Sequence, residues 1–218
     1  MDARLEMEIA GLDEFLRDYP LMAIRPSGGN DLVLKGRFDF RANAGTQGEI
    51  TDSFVLTIRI PRDFPKCLPT VVETGGRIPR TGTFHVNADG TLCLGSPLRL
   101  LLQLAKNPTL PGFADLCLVP YLFAISHKLQ HGGALLFDEL AHGSPGMLAD
   151  YVELFGLKNS AQAKSALTAL GMKKRIANKR LCPCGCGIRL GKCKFNRRLA
   201  EFRVLAPRSW YKKQRQFL

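Results

Sequence analysis

The sequence predicts an α+β fold in which an N-terminal helix, an antiparallel meander sheet and a long ordered loop are followed by C-terminal helices. Three observations carry this. Apolar residues recur at helical spacing near the start of the chain. Two stretches of strict alternation follow, joined by one loop. Beyond about residue 97 the pattern becomes helical and stays so. The 218 residues are 45% hydrophobic, which favours a packed core over disorder. The length suits one domain with an appendage.

The helix is read from Leu5, Ile9, Leu12 and Leu16, with Phe15 widening the stripe. Asp2 is a suitable N-cap, and Tyr19-Pro20 ends the helix because proline cannot continue the ladder. Leu32, Leu34, Phe38 and Phe40 then alternate with polar or outward residues, as a strand requires. Gly36 falls on the inward face, where glycine marks a bulge or a close backbone approach. After a loop over 41–50, Phe54, Leu56, Ile58 and Ile60 form a second alternating run. Loop-joined successive strands imply antiparallel pairing. Pro61 and Pro65 end the run, and Thr70-Val71-Val72 begins a third, short strand.

Residues 76–97 show neither period and are rich in Gly and Pro. They read as a long ordered loop, the kind that usually carries function, and Cys93 lies in it. Ser96 and Pro97 either shape an opening beside Cys93 or start a helix; the two residue types suit a helix start. Residues 98–104 are strongly apolar. Residues 113–129 form a helix candidate interrupted by Pro120, and shorter helices are expected over 134–141, 147–155 and 161–170. Gly171 suits the C-cap of the last.

Charge separates the chain. Residues 172–218 carry 15 Lys/Arg against one acid, Glu201, whereas residues 1–171 carry 16 against 18, so the net +12 belongs to the tail. The expected organisation is a domain over 1–156, a helical connector over 157–171 and a basic, Cys-rich module over 172–218. The N-terminus mixes charges and has no leader-like apolar stretch. No apolar run approaches the ~20 residues that cross a bilayer. The expectation is a cytoplasmic protein without a membrane partner, whose seven cysteines are thiols or metal ligands, not disulfides.

Three motifs in order give the loop a meaning. Phe64-Pro65-Lys66-Cys67-Leu68-Pro69-Thr70-Val71 resembles the aromatic–proline and proline–x–valine signature of ubiquitin-conjugating enzymes. His85-Val86-Asn87 resembles their His-Pro-Asn triplet, and Gly90-Thr91-Leu92-Cys93-Leu94 resembles the segment around their active cysteine. The resemblance covers roughly residues 1–155. Val86 and Leu68 replace prolines, and the loop from His85 to Cys93 is shorter than in common members. These departures fit a divergent bacterial branch, similar to the stand-alone conjugating enzymes of antiphage operons.

The resemblance implies a ubiquitin-conjugating (UBC-like) fold and a catalytic Cys93 that carries a protein C-terminus as a thioester. Thiolate attacks well and leaves well, which suits acyl carriage. It implies a protein donor with a free C-terminus, a cyclic-oligonucleotide synthase related to cyclic GMP–AMP synthase, and a protein target. It also gives Asn87 the stabilisation of the oxyanion; pinning of the loop through hydrogen bonds to backbone is the other role open to it. His85 is structural in the resembling family, and a general base in a cysteine hydrolase. Taken alone, Cys93 reads as a small buried hydrophobe. Cys67 and Cys117 sit in apolar contexts and read as core. His127, His131 and His142 match no metal spacing. Two other classes compete: a non-catalytic adaptor of the same fold, and a cysteine isopeptidase.

Cys182, Cys184, Cys186 and Cys193 lie within twelve residues, a density that favours zinc in a cytoplasmic chain. The run resembles the SEC-C zinc motif, in which Cys182, Cys184 and Cys193 match three ligands. Lys194 stands at the fourth position, so either Cys186 replaces that ligand or the site has three. The surrounding Arg180, Arg189, Lys192, Lys194, Arg197 and Arg198, with Phe195, Trp210 and Tyr211, suit RNA, phosphate or an acidic protein face, and equally an ordinary solubilising tail.

Overall fold

The computed structural model describes residues 9–136 and 143–218. The chain divides into two compact units, Met1–Glu139 and Leu140–Leu218.

In the first unit, α1 (Leu12–Asp18) buries Leu12 and Phe15 and ends at Tyr19, as the following proline requires. The expected Asp2 cap and Leu5 lie outside the described residues. Four strands follow, β1 (Met22–Arg25), β2 (Leu32–Asn43), β3 (Glu49–Ile60) and β4 (Thr70–Glu73), ordered β1-β2-β3-β4 and antiparallel throughout. The fold is therefore α+β. The strands β2 and β3 are longer than the alternation indicated. They pair from Leu32↔Ile60 to Asn43↔Glu49, which leaves a tighter connection than the loop expected over 41–50. β1 was not foreseen, because four residues after a proline are too few to display a period. It holds its place by pairing with β2.

The unbroken β2–β3 register excludes a bulge at Gly36. A Cβ there would lie 2.0 Å from the Leu21 carbonyl oxygen, so the glycine marks a close backbone approach. The inward residues Leu34, Phe38, Phe54, Leu56 and Ile58 are fully buried.

Ser96 caps α2 (Pro97–Leu104), accepting the Arg99 N–H at 3.4 Å with Pro97 in the first turn, as their residue types indicated. The long helix α3 (Leu110–His131) packs on β2 and β3. It is not interrupted at Pro120. A π-helical turn at Ala114–Leu118 precedes the proline; the wider turn makes room for a ring that would clash in regular α-helix. Continuity gives α3 22 residues and a mean hydropathy of 1.3, long and apolar enough by composition to cross a membrane, yet 72% of that window is buried inside the protein. In the sequence Asp115, Pro120 and Lys128 punctuate this stretch, so it does not show as one apolar run. Residues 134–136 are not helical, and the rest of the helix expected over 134–141 lies outside the described residues.

The second unit contains α4 (Gly143–Phe155), α5 (Ser160–Gly171), a short α6 (Lys174–Ala177), α7 (Phe195–Arg203) and α8 (Arg208–Gln216). Asn159 caps α5 by accepting the Gln162 N–H at 3.0 Å. Gly171 is the last helical residue and Met172 the cap. α5 packs against α4, α7 and α8, burying Ala163, Ala166, Leu167 and Leu170 among Tyr151, Phe155, Phe202 and Tyr211. The units divide at 139/140, whereas the charge profile suggested a domain to 156 and a connector over 157–171. Charge marks the tail's surface; the apolar faces of α4 and α5 place them with it. Tyr211 is core, its hydroxyl donating to the Phe202 carbonyl.

Candidate functional site

The loop that carries Cys93 begins at Glu73, the buried end of β4. Its carboxylate accepts the backbone N–H groups of Gly75 (2.7 Å), Gly76 (2.9 Å) and Ile78 (3.4 Å), which turns the chain back. Arg77 then pairs with Asp52 at 2.7 Å and lies 4.6 Å over the Phe54 ring. Asp52 also accepts the Ser126 hydroxyl of α3 at 2.7 Å. Burial raises the Asp52 pKa, but the hydrogen bonds from Arg77, Ser126 and the Ser53 N–H outweigh it, so the carboxyl titrates below its usual range. Further along, a 3-10 turn at Gly82–Phe84 is held to α3 at two points. The Tyr121 hydroxyl donates to the Phe84 carbonyl at 2.8 Å, and Lys128 donates to the Thr83 carbonyl at 2.8 Å with its ammonium over the Phe84 ring. The loop is thus an ordered flap.

Residues 91–93 lie between β4 and the triplet. Leu92 donates its N–H to the Val71 carbonyl at 2.8 Å, and Cys93 donates to the His85 carbonyl at 2.7 Å. Bridges Val72↔Thr91 and Val86↔Leu92 complete the arrangement. His85 adopts a left-handed backbone, φ 50, which few non-glycine residues do. Between triplet and cysteine the chain makes a tight turn. Gly90, at φ +82, donates to the Asn87 carbonyl at 2.8 Å, and Asn87 donates to the Thr91 carbonyl at 2.9 Å. The Asn87 side-chain amide donates to Thr91 Oγ1 at 3.0 Å, and that hydroxyl donates to Asp89 at 2.6 Å. Asn87 therefore pins the turn in this structure.

The Cys93 side chain is half-buried. Burial pushes its thiol pKa up and the Gly95 N–H pulls it partly back. The thiol is accordingly protonated near neutral pH. Burial also raises the Tyr121 hydroxyl pKa, with smaller contributions from the charges of Cys93 and Glu73, which places Tyr121 in the electrostatic surroundings of the thiol.

Of the other cysteines, Cys117 is buried, as its apolar context indicated, and its thiol pKa is pushed up to about 11 by burial. Cys67 is half-buried. His127 and His131 stand one turn apart on α3 with ring centroids 4.6 Å apart; His142 lies outside the described residues. The sequence reading missed Glu73, Asp52, Thr91 and Tyr121 as organisers of the flap. Their only signal was polarity at otherwise apolar positions, seen at Asp52 and Tyr121.

In the second unit, Cys182, Cys184, Cys186 and Cys193 converge, all four sulfurs lying within 4.8 Å of one another. Cys182–Cys184 is 3.2 Å, while Cys184–Cys193 and Cys186–Cys193 are each 3.7 Å. The Cys182 N–H donates to the Ile188 carbonyl at 2.9 Å, closing a knuckle in which Gly185 and Gly187 take positive φ. The Gln162 side chain of α5 donates to the Cys184 carbonyl at 3.2 Å. The Ile188 N–H lowers the Cys186 thiol pKa, and the Phe195 N–H donates to Cys193 Sγ at 3.4 Å. Such amide–sulfur bonds stabilise thiolate ligands. The cluster can hold a metal ion, with Cys186 in the group and Lys194 outside it.

No protein-family model, curated protein or solved structure matches the chain.

Proposed function

We propose that the protein is a ubiquitin-conjugating-type acyl carrier whose Cys93 takes the C-terminal carbonyl of another protein as a thioester and passes it to an amine of a target. The observation that carries this is the seating of Cys93. Its N–H is bonded to the His85 carbonyl, on a flap clamped to α3 and continuous with β4. The helix, the four-stranded meander, the flap and the following helices occur in the order of the ubiquitin-conjugating fold, which supports the motif resemblance.

In the first step the Cys93 sulfur attacks an activated C-terminal carbonyl. An S–C bond forms, the bond to the activating group breaks with its electron pair, and the thiol proton goes to solvent. In the second, an amine attacks the thioester carbonyl. A C–N bond forms, the C–S bond breaks and its pair returns to sulfur, and the amine gives up a proton to solvent. By resemblance the donor is a cyclic-oligonucleotide synthase, and the setting is antiphage defence in the cytoplasm.

The knuckle is proposed to hold structural zinc. Tetrahedral coordination at Zn–S of about 2.3 Å requires sulfur–sulfur edges of about 3.8 Å; Cys184–Cys193 and Cys186–Cys193 are at 3.7 Å, and Cys182–Cys184, at 3.2 Å, would open on binding. Bound zinc would cross-link α5's neighbourhood to the start of α7.

Expression with the products of neighbouring genes, followed by non-reducing gels and mass spectrometry, tests the transferase. A thiol-sensitive adduct on Cys93 is expected, converted by Cys93→Ser into a thiol-resistant ester. Adducts that persist unchanged in Cys93→Ala would sink the reading.

A further inference from the structure

Six of the fifteen Lys/Arg of residues 172–218 line two grooves that the cysteine knuckle does not form. Between residues 154 and 218 Glu201 is the only acidic side chain, and it is paired with Arg198 at 2.7 Å. A groove of about 550 Å³ has an apolar floor of Leu170, Met172 and Pro207 and cations Lys173, Lys174, Arg203 and Arg208 around it. A second groove of about 550 Å³ shares Met172 and adds Lys212 and Arg215. Arg208 and Lys212 are one turn apart on α8, so their charges line up along it. Arg203 is held in place by the carbonyls of Ala169 (3.1 Å) and Met172 (3.5 Å), which fixes one positive charge in the wall. Tyr211, read from sequence as a surface aromatic, lies buried behind the first groove.

We propose that these adjoining grooves bind a single strand of nucleic acid, with phosphates on the cations and bases against the apolar floor. The presence of both cations and apolar surface in the lining decides the ligand. Each nucleotide of a single strand presents one negative charge and one apolar ring face. A duplex hides its bases and would leave the floor uncovered. An acidic peptide would satisfy the cations and leave the floor without an apolar partner. A domain with clustered Lys/Arg and almost no acid has the electrostatic footprint of such binding. This reading does not depend on Cys93.

The test is fluorescence anisotropy with the full chain and labelled oligo-U and oligo-dT strands of about 12 nucleotides, within the usual span of single-strand sites. Duplex of equal length and polyglutamate are run alongside at about 0.1 M salt. Binding of the ribo- or deoxyribo-strand, tighter than duplex and polyglutamate, is expected, and comparison of the two strands identifies the preferred sugar. Lys174→Glu with Arg208→Glu should weaken binding about tenfold or more and reduce the salt slope by about 1.4. Lys174→Gln with Arg208→Gln should act in the same direction, guarding against misfolding of the reversal. Arg17→Glu in the first unit should change nothing. Failure of both strands to bind, tighter binding of duplex or polyglutamate, or wild-type affinity in the groove variants would overturn the proposal.

Discussion

The backbone N–H of Cys93 donates to the carbonyl of His85 at 2.7 Å, so the triplet and the candidate nucleophile are coupled through the main chain. Burial raises the thiol's pKa. The histidine has a conformational part in this: its backbone is left-handed and its carbonyl accepts the Cys93 N–H. This arrangement fixes where the sulfur sits without activating it in advance.

Because Asn87 bonds Thr91 Oγ1, the asparagine acts through the turn. Thr91→Val should slow discharge of the Cys93 adduct by a factor similar to that of Asn87→Ala. If Thr91→Val transfers at the wild-type rate while Asn87→Ala loses about 100-fold or more, the amide instead stabilises the oxyanion. Single-turnover discharge rates distinguish the two.

Cys117 makes the first unit sensitive to alkali. Its thiol pKa is raised from 9.0 to about 11 by burial, so the folded state keeps the proton while the unfolded chain loses it. Its contribution to stability is complete below pH 9 and declines as pH rises towards 11. At about 1.4 kcal/mol per unit, about 2–3 kcal/mol should be lost over that window. Cys117→Val cannot ionise and should lack this component. Urea unfolding of both proteins at the two ends of the window measures the difference, and parallel losses would refute it.

Gly36→Ala should destabilise the first unit by about 2 kcal/mol or more, since its methyl would meet a backbone oxygen, Leu21 O, at 2.0 Å and backbone cannot move as a side-chain tip can. A lower urea midpoint at unchanged slope is the expected result.

At the knuckle, elemental analysis should find one zinc per chain in wild type and in Lys194→Ala, and a reduced content in Cys186→Ser. Chelation should lower the unfolding temperature of the second unit. Equal zinc in Cys186→Ser and wild type would remove Cys186 from the ligand set.

Much of the frame was legible in the sequence. The alternation of Leu32–Phe40 and Phe54–Ile60, the Ser96-Pro97 start of α2 and the crowding of four cysteines are local patterns. Short-range geometry generates them, so a window of a few residues reveals them. The π-helical turn before Pro120 could not be read this way, because helix breaking by proline is the local rule and the packing of α3 on the sheet overrides it. β1 was invisible because it is short and its order comes from β2.

The sequence by itself determined the α+β class, the position of Cys93 in an ordered loop beside His85 and Asn87, and the crowding of four cysteines within twelve residues. Tertiary structure alone decided that Asn87 points to Thr91, that Cys186 joins the other three sulfurs, and that α4 and α5 belong with the basic tail. The physical reason is range. Backbone period and residue chemistry act over neighbouring positions. Which side chains meet, and which face is buried, depends on contacts between segments far apart in the chain, such as Tyr121 with Phe84 or Gln162 with Cys184.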